Sequence, residues 1–185
     1  LLHGHQKVVY WKPIQTGTIV GDDTKATRAL TDLPAECFWE PCYRFPEPLS
    51  PSMAAKKWGK TIELDTITKF YQERRKDETV IIEGAGGVLV PLSEKYLQVD
   101  LFKALQLPIL IVTEDRVGAI NQTLLTLDFL RDEKLEVLGV VMTRARRTLG
   151  NAEAISLFGK VEVLAEFDPT DDARTVVGLE GYGLT

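Results

Sequence analysis

The sequence predicts an α/β protein organised around a doubly wound, mostly parallel sheet. Three observations point there. Short apolar runs recur along the chain and are continuous rather than alternating, as expected of parallel strands covered on both faces. Segments with apolar residues at helical spacing lie between those runs, the alternation that parallel crossovers produce. Finally, Glu83-Gly84-Ala85-Gly86-Gly87 follows one run directly, which puts a carboxylate and a flexible turn at the carboxyl end of a strand, where proteins of this class keep their ligands.

Taken in chain order, Leu1-Leu2 followed by Gly4 has the form of a helix running into its glycine stop, so a preceding strand and loop are expected upstream of Leu1. Val8-Val9-Tyr10-Trp11 reads as the first strand within the chain. The Pro-dense stretch from Pro41 to Pro51 reads as a long irregular connection with exposed work to do. Ile62, Ile67, Phe70 and Tyr71 mark one face of a helix that ends in Glu73-Arg74-Arg75-Lys76, and Thr79-Val80-Ile81-Ile82 supplies the next strand. Leu97, Leu101 and Leu105 mark a second helix, and Ile120, Leu124, Leu127 and Leu130 a third. Strands are expected at Pro108 to Val112, Val137 to Met142 and Val161 to Leu164, while the tail from Asp168 carries no signal. There is no internal repeat and no low-complexity segment. With 185 residues, 44% of them hydrophobic, the chain can build one sizeable core and gives no argument for two, so residues 1–185 are expected to form a single domain.

A net charge of −5 argues against a nucleic-acid partner, and the basic cluster Arg144, Arg146 and Arg147 is too short to reverse that. Cys37 and Cys42 lack the further His or Cys ligands of a zinc site and read as ordinary reduced thiols. No run approaches the roughly eighteen apolar residues of a membrane span, and the start lacks a signal-peptide layout, so a cytoplasmic protein without a membrane partner is expected.

In a parallel sheet the residues just after each strand share one rim. Here these are Lys12, Pro13 and Thr16, then Glu83 to Gly87, then Thr113 to Gly118, then Thr143 and Arg144. Each alone has an ordinary explanation: Lys12 as a solvated charge, Thr16-Gly17 as a turn, Glu83 as a strand-end cap. Gathered on one rim, a lysine, hydroxyls, a carboxylate and glycines suit a magnesium nucleotide and an anionic intermediate. Such a site normally uses G-x-x-x-x-G-K-S/T, whose backbone amides wrap the phosphates. Gly59-Lys60-Thr61 imitates the ending of that motif, but Ala54 stands where the first glycine belongs and no strand precedes it, so it reads as a helix-entry turn.

An ordered set of segments resembles the dethiobiotin synthetase family: Tyr10-Trp11-Lys12-Pro13-Ile14-Gln15-Thr16-Gly17, Asp22-Asp23, Glu47-Pro48-Leu49-Ser50-Pro51, Glu83 to Gly87 with Pro91-Leu92, and Gly118-Ala119-Ile120-Asn121. The likeness runs from about Leu1 to Met142 and implies a P-loop NTPase-like fold whose N-terminal strand and phosphate loop precede the given chain. It implies an ATP- and Mg2+-dependent cyclo-ligase of biotin synthesis, which joins 7,8-diaminopelargonate and CO2 through a phosphorylated carbamate, working as a homodimer. By that resemblance Lys12 would be the catalytic cation over the carbamate and γ-phosphate, and Asp23 and Glu83 the carboxylates around Mg2+. Thr16 would hydrogen-bond the diamine or carbamate, Ser50 and Pro51 would line the substrate's approach, and Gly86 and Gly87 would border the phosphates. Gly118, Ala119, Ile120 and Asn121 would present backbone amides to the substrate carboxylate. Thr143 stands where the family commonly has an asparagine against the nucleotide base, and one hydroxyl cannot pair with adenine as an amide does. The rival readings are a non-catalytic or truncated relative that keeps the fold, and a ParA/MinD-like or cobyrinic-acid-synthesis-like ATPase.

Overall fold

A computed structural model describes residues 8–31, 33–75, 78–144 and 150–168. The expected helix end at Leu1-Leu2, Lys76, the basic residues Arg146 and Arg147 and the tail from Pro169 lie outside the described residues. The chain divides into two compact units, Leu1–Leu105 and Gln106–Thr185.

The first unit is centred on β1 (Val8–Trp11), whose Val9, Tyr10 and Trp11 are all buried. A 3-10 turn at Ala35–Cys37 leads into β3 (Phe38–Trp39), which pairs parallel with one edge of β1, and β5 (Thr79–Ile82) pairs parallel with the other in the register Val8↔Thr79 to Trp11↔Ile82. Trp11 anchors the layer beneath the sheet. Its ring stacks on Phe70 at 5.0 Å and on Tyr71 at 6.2 Å, both carried by α3 (Leu64–Arg74), and meets Trp39 edge-on at 5.9 Å. Offset and edge-on aromatic pairs of this kind add to the burial of their large apolar area. Pro13 has no amide to continue the ladder, and the chain turns there into β2 (Ile14–Gln15), which pairs parallel with β4 (Tyr43–Arg44). The unit is completed by α1 (Asp23–Ala29), α2 (Pro51–Lys57) and α4 (Gln98–Leu105).

In the second unit β6 (Ile109–Glu114), β7 (Val137–Thr143) and β8 (Val163–Glu166) form a parallel sheet in the order β6-β7-β8. The crossovers are α5 (Ala119–Asp132) and α6 (Asn151–Gly159). Leu127, Leu130 and Ile155 are fully buried between these layers. Gly139 has a packing reason: a Cβ there would sit 2.6 Å from Cγ of Leu164 on the neighbouring strand. Every strand pair described is parallel and helices alternate with strands, so the α/β expectation holds. No helix among the described residues is long and apolar enough to cross a membrane.

Several local expectations are corrected. The last strand is displaced from Val161–Leu164 to Val163–Glu166, because Lys160 takes a left-handed conformation after α6 and delays the strand. The stretch from Pro41 to Pro51 is not wholly irregular, since β4 lies within it and α2 starts on Pro51. Continuous apolarity does not mean burial on both faces in β6, where Ile111 is buried while Leu110 and Val112 are 41% and 62% exposed. Gly59-Lys60-Thr61 is the turn between α2 and α3, with Gly59 at φ +59°, and not a phosphate loop. Cys37 and Cys42 are free thiols.

Candidate functional site

Neighbouring parallel strands deliver the central pair. Trp11 and Ile82 are register partners, and the amide of Glu83 extends the ladder by donating to the carbonyl of Trp11 at 2.9 Å. Lys12 and Glu83 therefore leave the sheet side by side, and Lys12 Nζ donates to Glu83 Oε1 at 2.6 Å. The same ammonium donates to Asp23 Oδ2. Asp23 is the first residue of α1, whose N-cap is Asp22, with its side chain accepting from the amide of Lys25 at 3.1 Å. Asp22 is also paired with Arg44, so of the two adjacent aspartates only Asp23 faces Lys12.

Two residues not singled out from the sequence complete this centre. Gln15, only 1% exposed, accepts from the amide of Asp23 at 3.1 Å and donates to Asp23 Oδ2 at 3.3 Å and to the carbonyl of Thr16 at 2.8 Å. Tyr10 donates its phenol to Glu83 Oε2 at 2.5 Å. Tyr10 and Lys12 lie two residues apart and so share a face of the strand, a spacing that could have flagged Tyr10. Gln15 lies beside Thr16, but its burial is a tertiary fact.

The electrostatics favour an ion cluster. Burial disfavours the charge on Lys12, which is 8% exposed, but hydrogen bonds and charge from Asp23 and Glu83 outweigh it and raise the ammonium above its ordinary value. Burial likewise works against the charge on Asp23, yet the bond and charge of Lys12 and the bond from Gln15 leave its carboxyl below the usual range. Tyr10 is pushed up, first by burial and then by Glu83, so it stays a donor. The sign of the linkage follows. The Asp23 contribution to stability is present above its ordinary value of 3.8 and is lost as the pH falls through the lowered folded value. The Lys12 contribution is present below its ordinary 10.5 and is lost as the pH rises through the raised value. On the acid side, wild-type melting temperature is expected to fall more steeply below about pH 4 than that of Asp23→Asn, measured by calorimetry at stepped pH. Parallel acid limbs would show that the pair contributes nothing.

Among the described residues no three His, Cys, Asp or Glu side chains are grouped to hold a metal. What the centre offers is two carboxylates that reach the same nitrogen. Two hard oxygens are too few for a protein cage, but they suit magnesium, which takes one or two carboxylates and fills its octahedron with phosphate oxygens and water. The residues present therefore fit a metal that arrives with a phosphate ligand.

The other expected residues of the first unit lie in loops that are paired with one another. The turn after Thr16 is stitched to the segment before Ser50: the amides of Gly17, Thr18 and Ile19 donate to the carbonyls of Glu47, Phe45 and Pro46 at 2.8, 3.2 and 3.2 Å. Ser50 is the N-cap of α2 without using its hydroxyl as a cap, and Pro51 is buried at the first helical position. Ser52 then donates to the carbonyl of Pro91 at 3.1 Å, which ties this segment to the loop that follows Glu83. Gly86 and Gly87 are exposed in that loop, Gly86 at φ +87°. Gln98 holds the loop from below by accepting from the amide of Ala85 at 3.1 Å. Its own Nε2 is buried with no acceptor among the described residues, which costs about 1–3 kcal/mol for such a group. No sequence signal marks Gln98, since it lies outside every motif.

Gly118 to Asn121 and Thr143 belong to the second unit. Gly118, at φ +92°, is the N-cap of α5. Ala119 donates to the carbonyl of Arg116 at 3.0 Å, so its amide is taken, whereas those of Ile120 and Asn121 have no partner among the described residues. Thr143 ends β7, its hydroxyl 3.4 Å from the carbonyl of Thr113 and its carbonyl accepting from Asp115 at 2.8 Å. A separate cavity of about 480 Å3, bordered by Lys56, Lys60, Thr61 and Lys95, includes none of the expected site residues.

A family model described as an AAA domain matches residues 1–175. The ATP-dependent dethiobiotin synthetase of Paramagnetospirillum magneticum is 38% identical over 177 residues, 95% of this chain and 83% of that protein. The protein of the same name from Lawsonia intracellularis is 38% identical over 183 residues, 98% of this chain and 84% of its own length. Among solved structures, a ParA family ATPase from Chlorobium tepidum has a TM-score of 0.50 at 11% identity, covering 89% of this chain and 72% of that one, a likeness of fold alone. On the strength of the two synthetases, each matched over more than four-fifths of its length, the chain belongs to the dethiobiotin synthetase family.

Proposed function

We propose that the protein uses ATP and Mg2+ to join 7,8-diaminopelargonate and CO2 into dethiobiotin. The observation that carries this reading is the meeting of Lys12, Asp23 and Glu83 at one point, from three separate stretches of chain, in a family named for ATP-dependent dethiobiotin synthesis. One amine of the substrate takes up CO2 to give a carbamate and releases a proton. The carbamate oxygen then attacks the γ-phosphorus and ADP leaves, giving a mixed carbamic-phosphoric anhydride. The second amine attacks the carbonyl carbon of this anhydride, phosphate leaves and the ureido ring closes.

In this reading Lys12 faces the carbamate and γ-phosphate oxygens, where its fixed charge favours the negative charge that builds up during transfer. Asp23 and Glu83 would hold Mg2+, which neutralises phosphate charge when bound. Gln15 and Tyr10 orient these two carboxylates, one each, by the contacts described above. Thr16, Ser50 and Pro51 line the approach of the diamine, and Gly86 and Gly87 border the phosphates. In the second unit the open amides of Ile120 and Asn121, with the turn at Gly118-Ala119, receive the substrate carboxylate across a homodimer interface, and Thr143 meets the base. A cytoplasmic location belongs to the same proposal, because ATP is supplied there.

The test is direct. The full-length protein, incubated with 7,8-diaminopelargonate, bicarbonate, Mg2+ and ATP, is expected to release dethiobiotin and ADP in equal amounts, detected by mass spectrometry. Release of ADP without dethiobiotin would reject the reading in favour of another ATPase.

A further inference from the structure

Gln98 opens α4 fully buried, and its side chain is directed at the loop behind Glu83. The amide of Ala85 needs an acceptor, and that fixes which way round the carboxamide sits: Oε1 on Ala85, Nε2 toward Gly84. A Cβ on Gly84 would lie 3.2 Å from Nε2 and 3.3 Å from the carboxamide carbon, so any side chain at that position presses on the same group. The start of α4 also holds the far end of the loop. The amide of Gln98 donates to the carbonyl of Val90 and that of Val99 to the carbonyl of Val88, both at 2.9 Å. Asp100 Oδ2 accepts from the amide of Leu97 at 2.8 Å, so the helix opening is itself fixed in place. An apolar side chain of equal length would fill this space and spare the unpaired Nε2, but it would leave the amide of Ala85 without its acceptor, so packing alone does not account for a glutamine.

From this geometry we infer that Gln98 is a positioning residue: by gripping the amide two residues beyond Glu83 it sets the direction in which that carboxylate leaves the strand, toward Lys12 and Tyr10. The inference rests on the proposed role of Glu83 in holding the metal nucleotide. A loop free to swing would spread Glu83 over several directions and weaken its grip on the metal without touching the reacting atoms.

The test compares the wild-type protein with Gln98→Met, which keeps the volume and removes the acceptor, with Gly84→Ala, and with the double variant. Two quantities are read, amide hydrogen exchange at Ala85 and the Mg2+ dependence of ATP binding by calorimetry, with dethiobiotin formation followed in parallel. Exchange at Ala85 is expected to quicken about tenfold or more in Gln98→Met while amides of β1 and β5 keep their protection. Half-saturation by Mg2+ is expected to rise about fivefold, with kcat at saturating Mg2+ changed less than about threefold. The double variant is expected to be no worse than the poorer single one, because both changes break one contact. Unchanged exchange at Ala85, additive losses in the double variant, or a loss of protection spread evenly over β1 and β5 would each overturn the inference, the last in favour of a packing role. Should Gln98→Met fail to fold, Gly84→Ala alone is held to the same two readouts. A wild-type protein that makes no dethiobiotin would reject the proposed reaction, while Ala85 exchange and Mg2+-dependent ATP binding would still decide the role of Gln98.

Discussion

Lys12→Ala is expected to lower the kcat for dethiobiotin formation by at least about 10²- to 10³-fold, the scale seen when one fixed donor to a developing negative charge is removed. Lys12 is the only described cation that contacts both Asp23 and Glu83, and alanine would leave two carboxylates facing the phosphates with nothing between them. The effect on folding should be much smaller. Breaking a fully buried ion pair costs about 3–5 kcal/mol, but the side chains of Asp23 and Glu83 are 47% and 44% exposed and can recover their hydration. The variant should therefore melt within a few degrees of the wild type, with activity nearly abolished. Lys12→Arg should not restore the rate, because a planar fork wider than an ammonium cannot sit in the same place between the two carboxylates. A Lys12→Ala protein of near-normal kcat would show that the reaction takes place elsewhere.

Glu83→Gln should reduce kcat/KM by about 10² or more and raise the Mg2+ concentration needed for half-maximal rate by about tenfold. The substitution keeps the shape of the side chain, and its amide oxygen can still accept from the phenol of Tyr10, which sits 2.5 Å away in the wild type. It removes the charge that a divalent ion requires. The loss should accordingly be concentrated in metal dependence, while the ladder bond from the backbone of Glu83 to Trp11 keeps the strand end in place. Mg2+ titrations of the steady-state rate, run beside thermal melts, separate these effects. An unchanged Mg2+ requirement would remove Glu83 from the metal site.

Much of this centre could be read from the linear chain, for a reason visible in its two principal residues. Lys12 and Glu83 each end a continuous apolar run, and parallel pairing brings the ends of such runs to one rim whatever the length of the connection between them. The three helices with clear apolar spacing also appear, at Leu64–Arg74, Gln98–Leu105 and Ala119–Asp132, although Ile62 and Leu97, expected on the first two, lie just before them. By contrast α1 and α2, of seven residues each, carry too few apolar positions for a period to show, and in α6 the apolar residues do not keep to one face, since Ile155 is buried while Leu157 and Phe158 are exposed. The two-residue strands β2 and β4 have no periodicity at all and exist because their backbones meet.

The sequence by itself determined the class of fold, the parallel direction of its strands, the residues that follow β1 and β5 and, through an ordered set of short segments, the family. Those are properties of local pattern and of residue identity, which a linear chain carries explicitly. Only the tertiary structure decided that one ammonium, that of Lys12, bonds both Asp23 and Glu83, that Tyr10 and Gln15 hold the two carboxylates, and that Gln98 lies under the glycine loop. These outcomes turn on which donors and acceptors become buried together, and a buried polar group finds its partner by distance in space, which separation along the chain does not report.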